Sequence, residues 1–121
     1  MDKEKMDHEI IKELENLSRL QRDWDSYDGL PLSSISKQKA LAAIAILKDQ
    51  QILPVPAVVL GSAGTVNFEW QYGGKELEIG FSLMGIMEYT KVDNKGRVIG
   101  GEIGTWCELE SLISWLINGA E

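Results

Sequence analysis

One cysteine, one histidine and three prolines occur in 121 residues, and each scarcity closes off a class of chemistry. The lone Cys107 rules out an internal disulfide and offers no thiolate framework for a metal. The lone His8 falls in the first turns of an N-terminal helix, where fraying makes it a poor general acid or base. A Cys–His pair would have to join opposite ends of the chain, and nothing in the pattern asks for that. His8 therefore reads as a surface residue, and Cys107 as a small half-buried hydrophobe at the start of a last helix. No catalytic residue is assigned, and an enzyme is not expected. No apolar run approaches the roughly 20 residues that cross a bilayer, the best stretch being residues 40–47. The opening Met1-Asp2-Lys3-Glu4-Lys5 has no apolar signal core. A cytoplasmic protein without membrane contact is the expectation.

Bases are also scarce. Nineteen acids stand against twelve bases, for a net charge of −7. Direct nucleic-acid binding rests on a basic face that neutralises phosphates, so this balance disfavours it. It suits solubility, a basic partner, or mimicry of a polyanion. The glycines form no nucleotide cradle. Gly61-Ser62-Ala63-Gly64 leads into a strand rather than a helix, and the glycines of residues 96–104 lack a Walker lysine with Ser/Thr.

The chain itself is 44% hydrophobic and 26% charged, ordinary for a globular protein, and its length suits a single domain over residues 1–121. Met6, Ile10, Leu14, Leu17, Leu20 and Trp24 recur at helical spacing, which predicts a first helix over residues 3–22. A second follows Pro31, capped by Ser33, Ser34 or Ser36, with Ala40, Leu41, Ile44, Ala45 and Leu47 as its apolar stripe. The period then changes to two. Residues 58–60 form a short strand. Val66, Phe68 and Trp70 alternate with polar neighbours, as do Leu77, Ile79 and Phe81, and Gly73-Gly74 between them signals a hairpin. Residues 85–92 supply a further strand, Asp93-Asn94-Lys95-Gly96 a turn, and residues 97–103 an edge strand weakened by Gly100 and Gly101. Thr105 and Glu108 stand in capping-box relation ahead of a last helix carrying Leu109, Leu112, Ile113, Leu116 and Ile117. The expected fold is α+β: two N-terminal helices, an antiparallel meander of four to five strands, and a C-terminal helix, with the helices on one sheet face.

Two segments compete as functional sites. The first is the junction Asp23-Trp24-Asp25-Ser26-Tyr27-Asp28-Gly29-Leu30-Pro31. Its three carboxylates suit a hard cation such as calcium or magnesium, but a calcium loop counted from Asp23 puts Tyr27 at position 5 and Ser34 at position 12, where ligands are needed. A helix–corner–helix accounts for more of the residues. Trp24 seals the core, Asp25 turns the backbone, Tyr27 packs its ring, Gly29 permits a positive φ, and Pro31 starts the next helix. Trp24, Asp25, Tyr27, Gly29 and Pro31 are read as structural, with a small-ligand or cation sensor at Asp23, Asp25 and Asp28 as the alternative. No metal or cofactor is assigned. The second segment is the strand pair bearing Glu69, Glu76 and Glu78 beside Trp70. Like charges on one sheet face repel, and Lys75 and Lys91 are placed to offset them.

The junction Trp24-Asp25-Ser26-Tyr27-Asp28-Gly29-Leu30-Pro31 resembles a Trp-Asp-x-Tyr-x-x-x-Pro signature in a widespread set of small uncharacterised bacterial proteins. In that set a second helix and a proline-containing step follow. Then come strands similar to Thr65-Val66-Asn67-Phe68-Glu69-Trp70 and Glu76-Leu77-Glu78-Ile79. The resemblance covers residues 14–79 and implies bacterial or phage origin and this order of elements, but no activity. Together with the charge, it leads to the expectation of a non-enzymatic protein-binding regulator or inhibitor, antitoxin-like or acting by charge mimicry. Its partner would be another protein, basic or itself nucleic-acid-binding. Glu69, Glu76, Glu78 and Trp70 form the expected contact surface. A homodimer by strand addition at residues 97–103 is a second mode of association.

Overall fold

The computed structural model describes residues 10–16, 32–47, 55–61 and 63–118. Residues 10–16 are helical (α1), with Ile10 and Leu14 buried and Ile11, Lys12, Glu13, Glu15 and Asn16 exposed. This is the expected i, i+4 pattern of an amphipathic helix. The rest of the first expected helix lies outside the described residues.

Helix α2 spans Ser34–Leu47. Ser33 is its N-cap: the Ser33 hydroxyl accepts from the Ser36 N–H at 3.4 Å, and its carbonyl accepts from the Lys37 N–H at 2.9 Å. The buried stripe is Ser36, Ala40, Ala43, Ile44 and Leu47. Ala43 thus takes the place expected for Ala45, which is exposed. The buried Ser36 hydroxyl donates to the Ser82 carbonyl at 2.9 Å, so its burial leaves no unmet donor.

Five strands follow in one antiparallel sheet whose spatial order is the chain order: β1 (Ala57–Leu60), β2 (Val66–Tyr72), β3 (Lys75–Phe81), β4 (Met87–Val92) and β5 (Val98–Ile103). The strand expected over residues 85–92 begins two residues late, as β4 at Met87, because Gly85 has a positive φ (76°) and belongs to the turn at Ser82. Gly73 and Gly74 have φ of 59° and 79°, the left-handed pair that a two-residue hairpin of type I′ requires. Asn94 donates from its side-chain amide to the Gly73 carbonyl at 3.0 Å, tying the β2–β3 turn to the β4–β5 turn.

Helix α3 spans Trp106–Asn118. The Glu108 N–H donates to the Thr105 hydroxyl at 3.1 Å, and the Glu108 carboxylate accepts from the Gly104 N–H at 3.2 Å. This is a capping box shifted by one residue on its return bond. Its buried positions are Leu109, Leu112, Ile113, Trp115 and Leu116. Ile117 is only half-buried, and the missed Trp115 is the largest side chain of the stripe.

Among the described residues, the three helices share one core with one face of the sheet. Ile10, Leu14, Ala43, Leu47, Leu109, Ile113 and Leu116 pack with Val66, Phe68, Trp70, Leu77, Ile79, Phe81 and Met87. Phe68 sits at its centre, edge-on to Phe81 (5.0 Å between ring centroids) and to Trp70 (6.2 Å), the arrangement ring quadrupoles favour. This is the expected α+β layering, with five strands.

Candidate functional site

Period two divides every strand between the helix-covered face and the open one, and the register shows which residues meet. Glu69 pairs with Glu78, Gln71 with Glu76, Glu78 with Thr90, and Glu88 with Glu102. Glu69, Glu76, Glu78, Glu88 and Glu102 therefore share the open face. Lys75 pairs with Tyr72, and Lys91 with Leu77, so both strand lysines lie on the other face. The expected offset by Lys75 and Lys91 is corrected accordingly: the sheet sorts its charge, glutamates outward and lysines inward.

The lysines have work of their own beneath the sheet. Lys75 is 9% exposed and donates from Nζ to the Trp115 carbonyl at 2.6 Å. Trp115 lies in the last turn of α3, where carbonyls lack helical partners and the helix dipole favours a cation. Lys75 Nζ stands 5.2 Å and Lys91 Nζ 4.9 Å from the Trp115 ring centroid, within cation–π range.

On the open face, two of the closest cross-strand pairs are glutamate against glutamate, a destabilising arrangement. Partial burial raises the Glu78 carboxyl above its ordinary range. A hydrogen bond to the Glu69 side chain and the negative charge of Glu69 push it further in the same direction. Gln71 moderates one neighbour, donating to Glu76 at 3.1 Å. Ala57, Glu69, Gln71, Glu76, Glu78 and Thr90 line a shallow groove of about 420 Å³ in this face.

Of the expected contact residues, the structure brings Glu69, Glu76 and Glu78 together on the open face, while the Trp70 side chain is buried on the covered one and only its strand position borders the groove. Trp70 is 3% exposed and part of the core, so it is corrected to a packing residue. Its alternation with Glu69 and Gln71 requires this, since neighbours in a strand face opposite ways. Glu88 and Glu102 were missed as members of the face. Cys107 is exposed in the first turn of α3, a correction to its expected half-burial. His8, the corner residues Asp23, Trp24, Asp25, Tyr27, Asp28, Gly29 and Pro31, and the sensor reading built on them lie outside the described residues. Among the described residues no group of three or more His, Cys, Asp or Glu side chains is placed to hold a metal, and no helix is long and apolar enough to cross a membrane.

Comparison with protein-family models, with curated proteins and with solved structures finds no match to this chain.

Proposed function

We propose that this protein is a non-enzymatic binding module whose open sheet face receives a basic protein. It would act in the cytoplasm as a regulator or inhibitor, of the antitoxin or polyanion-mimic kind, in a bacterium or its phage. The carrying observation is the sorting of charge by the sheet, with five glutamates on the open face and the strand lysines on the covered one. The direct Glu69–Glu78 and Glu88–Glu102 pairs lower the stability of the isolated chain, and lysine or arginine side chains of a partner would turn that repulsion into attraction. An array of like charge on a flat face also steers a basic partner and raises its association rate.

The test is affinity capture from a lysate of the source cells, comparing wild type with Glu69→Gln/Glu78→Gln/Glu88→Gln/Glu102→Gln. A basic protein held by wild type and lost from the variant supports the reading. Capture of no protein, or equal capture by both, contradicts it.

A further inference from the structure

Strand β5 is exposed along almost its whole length: Val98 is 66% and Ile99 51% exposed, and only Ile103 is buried. Its outer edge presents a defined set of backbone groups. The Asp93 N–H donates to the Arg97 carbonyl at 3.0 Å, which makes this a hydrogen-bonded pair. Alternation along an antiparallel ladder then gives the bonded positions to Lys91–Ile99, Tyr89–Gly101 and Met87–Ile103. The N–H and C=O groups of Val98, Gly100 and Glu102 consequently point away from β4, at the free edge.

Natural edges are usually blunted by proline, lysine, a bulge or brevity. The opposite edge, β1, has two of these devices, with only four residues and Pro56 just before it. Strand β5 has six residues and contains neither proline nor lysine.

We propose that β5 is a homodimerisation edge, two copies of this chain pairing antiparallel about a two-fold axis through Gly100. An antiparallel register forms ladder bonds when outward-bonding residues oppose one another, and centring on Ile99 or on Gly101 does so but leaves Glu102 or Val98, respectively, without a partner inside the strand. Centring on Glu102 sets glutamate against glutamate, and centring on Val98 runs the strands past their ends. Centring on Gly100 opposes Gly100 to its own copy and Val98 to Glu102 of the partner copy, so all three outward residues are bonded and no like charges meet. On the underside Ile99 comes opposite Gly101 of the partner copy. A Cβ on Gly101 would stand 3.1 Å from the Tyr89 ring, so the ring already lies over the glycine and presents an aromatic surface against which Ile99 of the other copy packs. Each copy thereby covers the other's most exposed apolar strand residues, Val98 and Ile99. The two Glu102 side chains stay roughly 13 Å apart along the strands, beyond the screening length of about 8 Å at physiological salt. The dimer joins the two sheets with their acidic faces on the same side.

One strand and its flanking side chains make a small interface, so the dimer is expected to form reversibly at micromolar concentration. Sedimentation velocity from about 5 to 500 µM spans that range, with amide hydrogen exchange read at residue resolution. Expected are concentration-dependent protection of the Val98, Gly100 and Glu102 amides and concentration-independent protection of Ile99, Gly101 and Ile103. Val98→Glu places a carboxylate opposite Glu102 and should weaken the dimer about tenfold or more. Val98→Lys should leave it at least as tight, and Glu102→Lys added to Val98→Glu should restore it. A monomer at every concentration overturns the proposal, as does equal self-association by Val98→Glu and Val98→Lys.

Discussion

At the scale of single residues, Glu78 and Lys75 carry opposite lessons about charge. The Glu78 carboxyl is held above its ordinary range by partial burial and by Glu69. A raised acid binds its proton more tightly folded than unfolded. Its contribution to stability is therefore full below the ordinary carboxylate range and is lost as pH rises through the raised value. Glu78→Gln removes the repulsion without removing the shape. It should be more stable than wild type by about 0.2–1 kcal/mol at neutral pH, and that advantage should shrink towards zero as the pH falls into the carboxylate range. Urea denaturation at several pH values checks this; an advantage constant with pH would sink the assignment. Lys75 is the reverse case, a cation kept under the sheet because α3 ends beside it. Lys75→Met keeps the length of the side chain and deletes the donor, and should cost about 1–3 kcal/mol, with a shift in Trp115 fluorescence. A neutral outcome would mean that the Trp115 carbonyl is satisfied otherwise.

At the scale of elements, turns and caps were the most legible parts of the sequence, because their chemistry is local. The Gly73-Gly74 pair, Ser33 before α2 and the Thr105–Glu108 relation all act where they were read. The hairpin can be tested directly. A Cβ at Gly73 meets nothing within 4 Å, whereas one at Gly74 meets the Asn94 amide at 3.3 Å. Gly73→Asn should be nearly neutral, since asparagine tolerates the left-handed region. Gly74→Val should cost about 1–3 kcal/mol, because a β-branched residue is forced to positive φ there. Thermal melts of the two variants distinguish them, and equal losses would contradict the turn type. Less was legible wherever pairing between elements decides the outcome. Helical spacing identified α3 but not Trp115, which is buried because Lys75 and Lys91 close over it. Period two predicted that Glu69, Glu76 and Glu78 avoid the core, but it is silent about which strands lie side by side. Glu88 and Glu102 join the acidic face only through the β3–β4 and β4–β5 registers. The same parity carried the correction of Trp70, because a residue next to Glu69 in a strand must face the other way.

At the scale of the whole molecule, one division organises the rest: three helices and all the large apolar side chains of β2 and β3 on one side, and the glutamates on the other. The overall layering was readable from a helical period giving way to a period of two and back again. The function was not, because a charged face becomes a site only through its partner. The central claim is that the open face holds a basic protein through its glutamates, and the most direct measurement is the salt dependence of that complex. The dissociation constant of the captured partner would be followed from about 50 to 300 mM salt, for wild type and for the variant with Glu69, Glu78, Glu88 and Glu102 changed to glutamine. Wild type is expected to bind tightly at low salt and to weaken steeply as salt rises, while the variant binds weakly with a shallow slope. Equal affinities and equal slopes for the two proteins would contradict the claim.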